Sequence, residues 1–170
     1  PGPKDKFPEE IFVVVEIPKG ASNKYELDLE LGVIKLDRSL HTSTVYPGDY
    51  GIIPQTLSED NDAIDVLLIT IKPSFPYCVI PARPVGLLKM YDEAGADFKI
   101  VAIPSNEPRL AHIHDIDNVP SSELKEIEHF FKHYKDLEEK KWVDIKGWGD
   151  KKEAIKIIVE AHEIFKKRFL

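Results

Sequence analysis

The sequence predicts an α+β domain, an antiparallel sheet or barrel followed by two helices. Strand-like runs cluster in the first two-thirds of the 170 residues, and helical spacing is confined to the last third. Thirteen prolines against nine glycines suit short strands and firm turns better than a helix bundle. With 42% hydrophobic and 31% charged residues, the chain can bury a core without disulfides. No repeat or linker divides it, so residues 1–170 read as one domain.

Residues 1–10, with prolines at 1, 3 and 8, read as an extended arm. Ile11 to Ile17 is apolar except for Glu16 and predicts a buried strand. From Lys24 the pattern alternates: Tyr25, Leu27, Leu29 and Leu31 face one way, Lys24, Glu26, Asp28 and Glu30 the other. Val33 to Leu36 is the return strand after a turn at Gly32. Asp65 to Ile71 predicts a second buried strand that opens on a carboxylate. Pro84 to Tyr91 and Phe98 to Ile103 form a hairpin around the loop Asp92 to Asp97, where Gly95 can take positive φ and the two aspartates stand at the loop's feet. Trp142 to Lys146 is the last strand.

The spacing of Leu124, Ile127, Phe130, Phe131 and Tyr134 predicts a helix after Pro120-Ser121-Ser122, with Glu123 in its first turn. Ile155, Ile158, Val159, His162 and Phe165 form the stripe of a C-terminal helix.

A formal net charge of −7 argues against a general nucleic-acid binder, which must neutralise phosphates. An acidic chain that handles phosphate needs local cations and bound metal. The single cysteine, Cys78, has no partner for an internal disulfide and reads as a buried structural thiol. The absence of an apolar leader or an eighteen-residue apolar run makes secretion and membrane spanning unexpected and suits a reducing cytoplasm.

Glu59-Asp60-Asn61-Asp62-Ala63-Ile64-Asp65 carries the most chemistry. Two carboxylates about 4 Å apart repel by roughly 4 kcal/mol at an effective dielectric near 20, so Asp60, Asp62 and Asp65 crowded before an apolar strand call for cations. All-oxygen ligands suit Mg²⁺ or Mn²⁺ rather than zinc. A solvated acidic loop is the competing reading. A calcium loop fits poorly, because Ile64 and Asp65 stand where a third ligand and a turn glycine are required. Asp92 to Asp97 is a second acidic element. Lys24, Arg38, Lys99 and Lys135 accompany Tyr46, Tyr50 and Tyr134, although each lysine alone is by default a solvated surface residue. Glu138-Glu139-Lys140-Lys141 reads as a solvated face.

His129 and His133 share a helix face at metal-ligand spacing, but Phe130 occupies the place of a zinc-protease glutamate, and Glu126-x-x-His129 has no second copy for a di-iron site. They read as structural or surface histidines. His112 and His114 add no motif. No Walker A sequence, dinucleotide fingerprint or nucleophile elbow is present.

Several blocks of the chain together resemble the soluble family I inorganic pyrophosphatases of the short bacterial and archaeal type. They are Val15-Glu16-Ile17-Pro18, Lys24-Tyr25-Glu26, Leu36-Asp37-Arg38, Tyr46-Pro47-Gly48-Asp49-Tyr50-Gly51, Asp60-Asn61-Asp62-Ala63-Ile64-Asp65-Val66, Arg83-Pro84-Val85-Gly86, Asp92 to Asp97, and His129 to Lys135. The blocks follow family order and span nearly the whole chain. The resemblance implies a five-stranded OB-type β-barrel with two flanking helices and an active site at the barrel mouth. It implies that Asp60, Asp65 and Asp97 hold one metal, with Asp65 bridging to a second, that Asp92 and Asp97 hold a further one, and that Glu26 belongs to the metal shell. Lys24, Arg38, Tyr50, Lys99, Tyr134 and Lys135 would bind substrate, with Glu16 and Tyr46 in support. Arg38 and Tyr50 would also take part in catalysis.

The implied reaction is hydrolysis of pyrophosphate to two phosphates, with several Mg²⁺ ions, a metal-activated water and Asp62 as general base. Mn²⁺ would substitute, Ca²⁺ would inhibit, and the assembly would be a homohexamer. Two departures stand out. Asn61-Ala63 replaces the usual glycine and proline, and asparagine tolerates left-handed angles. Asp49, where many relatives have asparagine, is expected to add charge near Tyr46 and Tyr50. A non-catalytic OB-type oligonucleotide binder is the alternative, disfavoured by the acidic balance and the want of stacking aromatics in a basic groove.

Overall fold

Five apolar strands close on one another because each is bordered on both edges by another strand. In the computed structural model, which describes residues 1–170, these are β1 (Ile11–Ile17), β4 (Asp49–Ile53), β5 (Ile64–Leu68), β8 (Lys99–Pro104) and β6 (Val79–Asp92). They pair in that order, and β6 returns to pair with β1, which completes the ring. All the pairings are antiparallel except β5 with β8. β7 (Gly95–Ala96) and β9 (Val143–Gly149) extend the sheet from β6, while β2 (Asn23–Asp28) and β3 (Val33–Ser39) form a separate hairpin. The α+β class and the five-strand ring with two helices match the sequence's expectation.

Period-two geometry sends alternate residues to opposite faces. Leu67, Ile69, Val101 and Ile103 enter one core, closed by Ile127, Phe130 and Phe131 of α1 (Ser121–His133). Val66, Leu68, Ile100 and Ala102 enter a second, closed by Ala154, Ile158 and Ala161 of α2 (Lys151–Phe169). α2 starts in a reciprocal cap: Asp150 accepts from the Glu153 N–H at 2.9 Å, and Glu153 accepts from the Asp150 N–H at 3.1 Å.

Several boundaries differ from the prediction. The alternation of Leu27, Leu29 and Leu31 continues past the end of β2, so Leu29 and Leu31 lie exposed in the turn. β5 ends at Leu68, three residues short of the expected end. β6 starts at Val79 rather than Pro84, because a bulge near Pro84 and Gly86 lets proline stay within a long strand. β9 runs on to Gly149. Residues 4–10 form turns instead of an extended arm, and Phe7 meets His162 edge-on at 5.3 Å. The buried stripe of α2 is Ala154, Ile158 and Ala161, rotated from the predicted one, since small alanines permit close approach to the sheet.

β4 is absent from the sequence reading. Gly51 lies at its centre, and a Cβ there would meet the Val14 carbonyl oxygen at 2.0 Å. The close seating of β4 on β1 therefore requires glycine. Gly51→Ala is expected to lower stability by about 1–3 kcal/mol, the usual penalty for overpacking, read as a lower urea midpoint at unchanged slope.

Candidate active site

The site grows out of the α1-covered core where the apolar faces of β5 and β8 end in charge. Asp65 lies in β5 on the same face as Leu67, and Lys99 opens β8 on the same face as Val101. The Lys99 ammonium lies 2.7 Å from Asp65 Oδ2, 2.7 Å from Asp97 Oδ1 and 2.8 Å from the Tyr50 hydroxyl oxygen. It is 3% exposed, so lysine's usual preference for solvent is reversed here. Its charge also lies 5.4 Å from the Tyr50 ring centre and 5.8 Å from that of Phe131.

The aromatic floor is continuous. Tyr46 packs on Tyr50 and Phe130 at 5.4 and 4.6 Å, Tyr50 on Phe131 at 6.1 Å, and Tyr134 on Phe130 at 5.2 Å. Burial pushes the Tyr46 and Tyr50 hydroxyls well up, which keeps both protonated.

Asp92 closes the β6–β7 turn by accepting the Ala94 N–H at 2.9 Å, and its other oxygen accepts from Lys135 Nζ at 3.1 Å. The Asp97 N–H donates to the Met90 carbonyl at 2.9 Å, which keeps the two feet of the loop together. Burial raises the Asp97 carboxyl, as do Asp65 and Asp92, while Lys99 opposes them. On β2, Lys24 and Glu26 share a face as predicted, 2.7 Å apart.

Asp60 and Asp62 stand exposed at the edge. Asp60 accepts from the Ser58 hydroxyl and from the Asp62 N–H at 3.2 Å. Partial burial raises the Asp62 carboxyl, followed by repulsion from Asp60, Asp65 and Glu26. Asn61 has φ +71°, the left-handed angle for which asparagine is suited.

The predicted residues thus gather unevenly. Tyr50, Asp65, Asp97 and Lys99 meet at one ammonium, Asp92 meets Lys135, and Lys24 meets Glu26. No three carboxylates are assembled as a ready metal cluster. Their chemistry nevertheless fits a hard divalent cation: every donor is oxygen, and burial first, then repulsion from neighbouring carboxylates, raises Asp62 and Asp97, a cost that added positive charge relieves. Asp49 departs from expectation. It is fully buried and accepts from the Lys19 and Ser74 N–H groups at 2.8 and 3.1 Å, so its carboxylate ties two loops instead of facing the tyrosines. Cys78 is half-buried rather than buried.

Sequence reading missed the partners of Arg38. Its Nη1 lies 2.5 Å from Asp37 Oδ2, and Nη2 donates to Glu138 Oε2 at 3.1 Å. Nε lies 2.9 Å from Glu138 Oε1 but off the N–H direction, which makes that contact ionic. The run from Glu138 to Lys141 is therefore no plain solvated face, since Lys141 also binds Glu93 at 2.8 Å; Glu139 and Lys140 stay exposed without a side-chain partner. No periodicity joins Arg38 to a residue one hundred positions later. The His129 and His133 rings meet at a tilt with centres 4.6 Å apart, and His133 bonds Asp136 at 2.6 Å, which makes them a surface pair.

Fold and site together define an α+β barrel protein with a partly buried array of alternating carboxylates and ammonium groups. The chain belongs to the inorganic pyrophosphatase family. A family model described as inorganic pyrophosphatase matches residues 13–166. The inorganic pyrophosphatase of Leifsonia xyli is 55% identical over 146 residues, covering 86% of this chain and 90% of that one. The enzyme of that name from Saccharolobus solfataricus is 48% identical over 164 residues, 95% of each. The crystal structure of inorganic pyrophosphatase from Thermus thermophilus superposes with a TM-score of 0.93 at 47% identity, covering 95% of this chain and 94% of the other.

Glu16 generates a pH prediction. It is 8% exposed, accepts the Leu27 N–H at 2.8 Å, and so fastens β1 to β2. Burial foremost pushes its carboxyl up to about 7, with Asp65 and Glu26 adding to the rise against the Leu27 N–H and Lys24. Between the ordinary value of 4.5 and about 7, the folded chain holds a proton that the unfolded chain has released, so stability falls as pH rises through that window and is level above it. Glu16→Gln removes this dependence. Relative to wild type, it should gain on the order of 2 kcal/mol between about pH 5 and about pH 8, measured by urea unfolding in chelator.

Proposed function

We propose that this chain hydrolyses inorganic pyrophosphate to two phosphates in a Mg²⁺-dependent reaction. The observation that carries the reading is the buried Lys99 ammonium held by Asp65, Asp97 and Tyr50, an arrangement suited to a polyanion and its counter-cations. Asp60, Asp65, Asp92 and Asp97, with Glu26, would hold several Mg²⁺ ions, and Mn²⁺ would substitute. When bound, such ions neutralise substrate charge and acidify water.

The chain's own groups supply the rest. Lys24, Arg38, Lys99 and Lys135 place positive charge around the phosphate oxygens, and the Tyr50 and Tyr134 hydroxyls donate to them. Arg38 exchanges or shares its carboxylate partners when a phosphate arrives. Asp62, at the solvent edge and made more basic by partial burial and its acidic neighbours, accepts the proton of the attacking water. Glu16 and Tyr46 hold β2 and Tyr50 in place. Positioning and electrostatics carry most of the acceleration, as in phosphoryl transfer generally.

The proposed unit is one domain over residues 1–170, acting as a homohexamer in the cytoplasm, with neither nucleic acid nor membrane as partner. Leu29, Leu31, Val33 and Leu36, all exposed on the β2–β3 hairpin, supply apolar surface for contact between copies. A free thiol such as Cys78 persists in a reducing compartment. No helix is long and apolar enough to cross a membrane.

The direct test is phosphate release from pyrophosphate. Mg²⁺ should support it, chelator should stop it, and Ca²⁺ should inhibit because its longer bonds and higher ligand number misplace the reacting groups. Equal turnover with both ions would refute the Mg²⁺ assignment.

A paired substitution separates the two carboxylate roles. Asp65→Asn should weaken Mg²⁺ binding in calorimetry. Asp62→Asn should act mainly on turnover, by about 10²-fold or more, and shift the pH–rate profile. Loss of metal binding in Asp62→Asn with an unshifted profile would make Asp62 a ligand instead.

A further inference from the structure

The acidic loop is anchored from outside the site. Its residues bond chiefly to one another: the Ser58 N–H donates to the Asp62 carbonyl at 2.8 Å, the Ser58 hydroxyl shares its one proton between that carbonyl and Asp60 Oδ1, and the Asn61 N–H donates to the Ser58 carbonyl at 3.1 Å. At its base the Thr56 hydroxyl donates to the Ile53 carbonyl at 2.6 Å and accepts from the Ile64 N–H at 3.0 Å; its other ties to the rest of the fold come from the C-terminal half of α2. The Leu57 N–H donates to the Ala161 carbonyl at 3.0 Å, and His162 Nδ1 donates to the Gln55 carbonyl at 2.7 Å. At the loop's tip, Arg168 Nη1 donates to Asn61 Oδ1. Ala161 is buried in the second core, so this half of the helix is itself fixed.

Asn61 occupies a position that glycine would fill with less backbone strain, given its φ of +71°. What asparagine adds is a side-chain acceptor, and that acceptor meets Arg168. We infer that Arg168 is a positioning residue. Through Asn61 it fixes the orientation of the 60–62 segment, and thereby sets where the Asp60 and Asp62 carboxylates stand relative to Asp65. The inference rests on the proposed metal-dependent reading of those carboxylates.

A single exposed contact contributes little to global stability, so its loss should be read in the loop's function and not in unfolding. The test uses the full chain as wild type, Asn61→Gly, Arg168→Ala, Arg168→Lys and the double variant Asn61→Gly with Arg168→Ala. Mg²⁺ binding is followed by calorimetry without substrate, alongside thermal unfolding and pyrophosphate turnover. Asn61→Gly and Arg168→Ala should each weaken Mg²⁺ binding by about three-fold with unchanged thermal unfolding, the scale of one exposed charged contact. Arg168→Lys should recover most of the loss, and the double variant should be no worse than either single one, because both act through one contact. Wild-type Mg²⁺ affinity in Arg168→Ala, effects that multiply in the double variant, or a parallel loss of thermal stability would overturn the inference. A wild-type chain without Mg²⁺-dependent phosphate release would instead refute the proposed function, while the calorimetry still decides the role of Arg168.

Discussion

The burial of one ammonium group governs the rest of the site. An ion withdrawn from water is tolerated only when opposite charge and hydrogen-bond acceptors replace its hydration, and Lys99 finds these in Asp65, Asp97 and Tyr50. The requirement runs both ways. Without Lys99, Asp65 and Asp97 would confront each other beside an apolar core. Each partner therefore comes from a different segment, β4, β5, the β7–β8 junction and β8, and the ring holds the four in register. The fold is the frame for a charge arrangement that no single segment could maintain.

Beneath that arrangement lies a floor of Tyr46, Tyr50, Phe130, Phe131 and Tyr134, which excludes water from one side of every ion pair near Lys99. Above it, the carboxylates at the solvent edge remain free to respond. Asp60 and Asp62 are exposed, while Asp65, Asp92 and Asp97 are progressively tied to lysines. The site thus passes from a rigid, dry base to a wet, acidic rim within a few residues. Arg38, half-buried, is held by Glu138 from the segment after α1.

Much of this was legible in residue order, and the failures have physical causes. β1, the β6–β8 hairpin and α1 announced themselves because burial is periodic and long. β4 did not: it has five residues, four of them buried, with a central glycine and turn-forming neighbours, so neither alternation nor propensity marks it. The leucines after β2 preserved a two-residue rhythm that the backbone had already abandoned. In α2, weight given to large side chains rotated the buried stripe away from the alanines that make the closest contact. The acidic and cationic residues of the candidate site were chosen by motif, yet the depth of Lys99 could not be read that way, because exposure is a property of the surroundings. Glu138 and Arg168 lie beyond any local signal, being joined to Arg38 and Asn61 only by the fold.

Closure of the ring has a consequence for how the chain reaches this state. β1 and β6 meet by pairing Ile11 with Ala82, and β5 and β8 lie parallel, which no tight turn can arrange. Both seams join strands distant in sequence, so loop entropy is lost before their contacts stabilise anything. The local hairpins, β2–β3 and β6–β8, carry no such burden. The two seams are accordingly expected to form late, and the charges around Lys99, which need β4, β5 and β8 together, are assembled only once the parallel β5–β8 seam has formed.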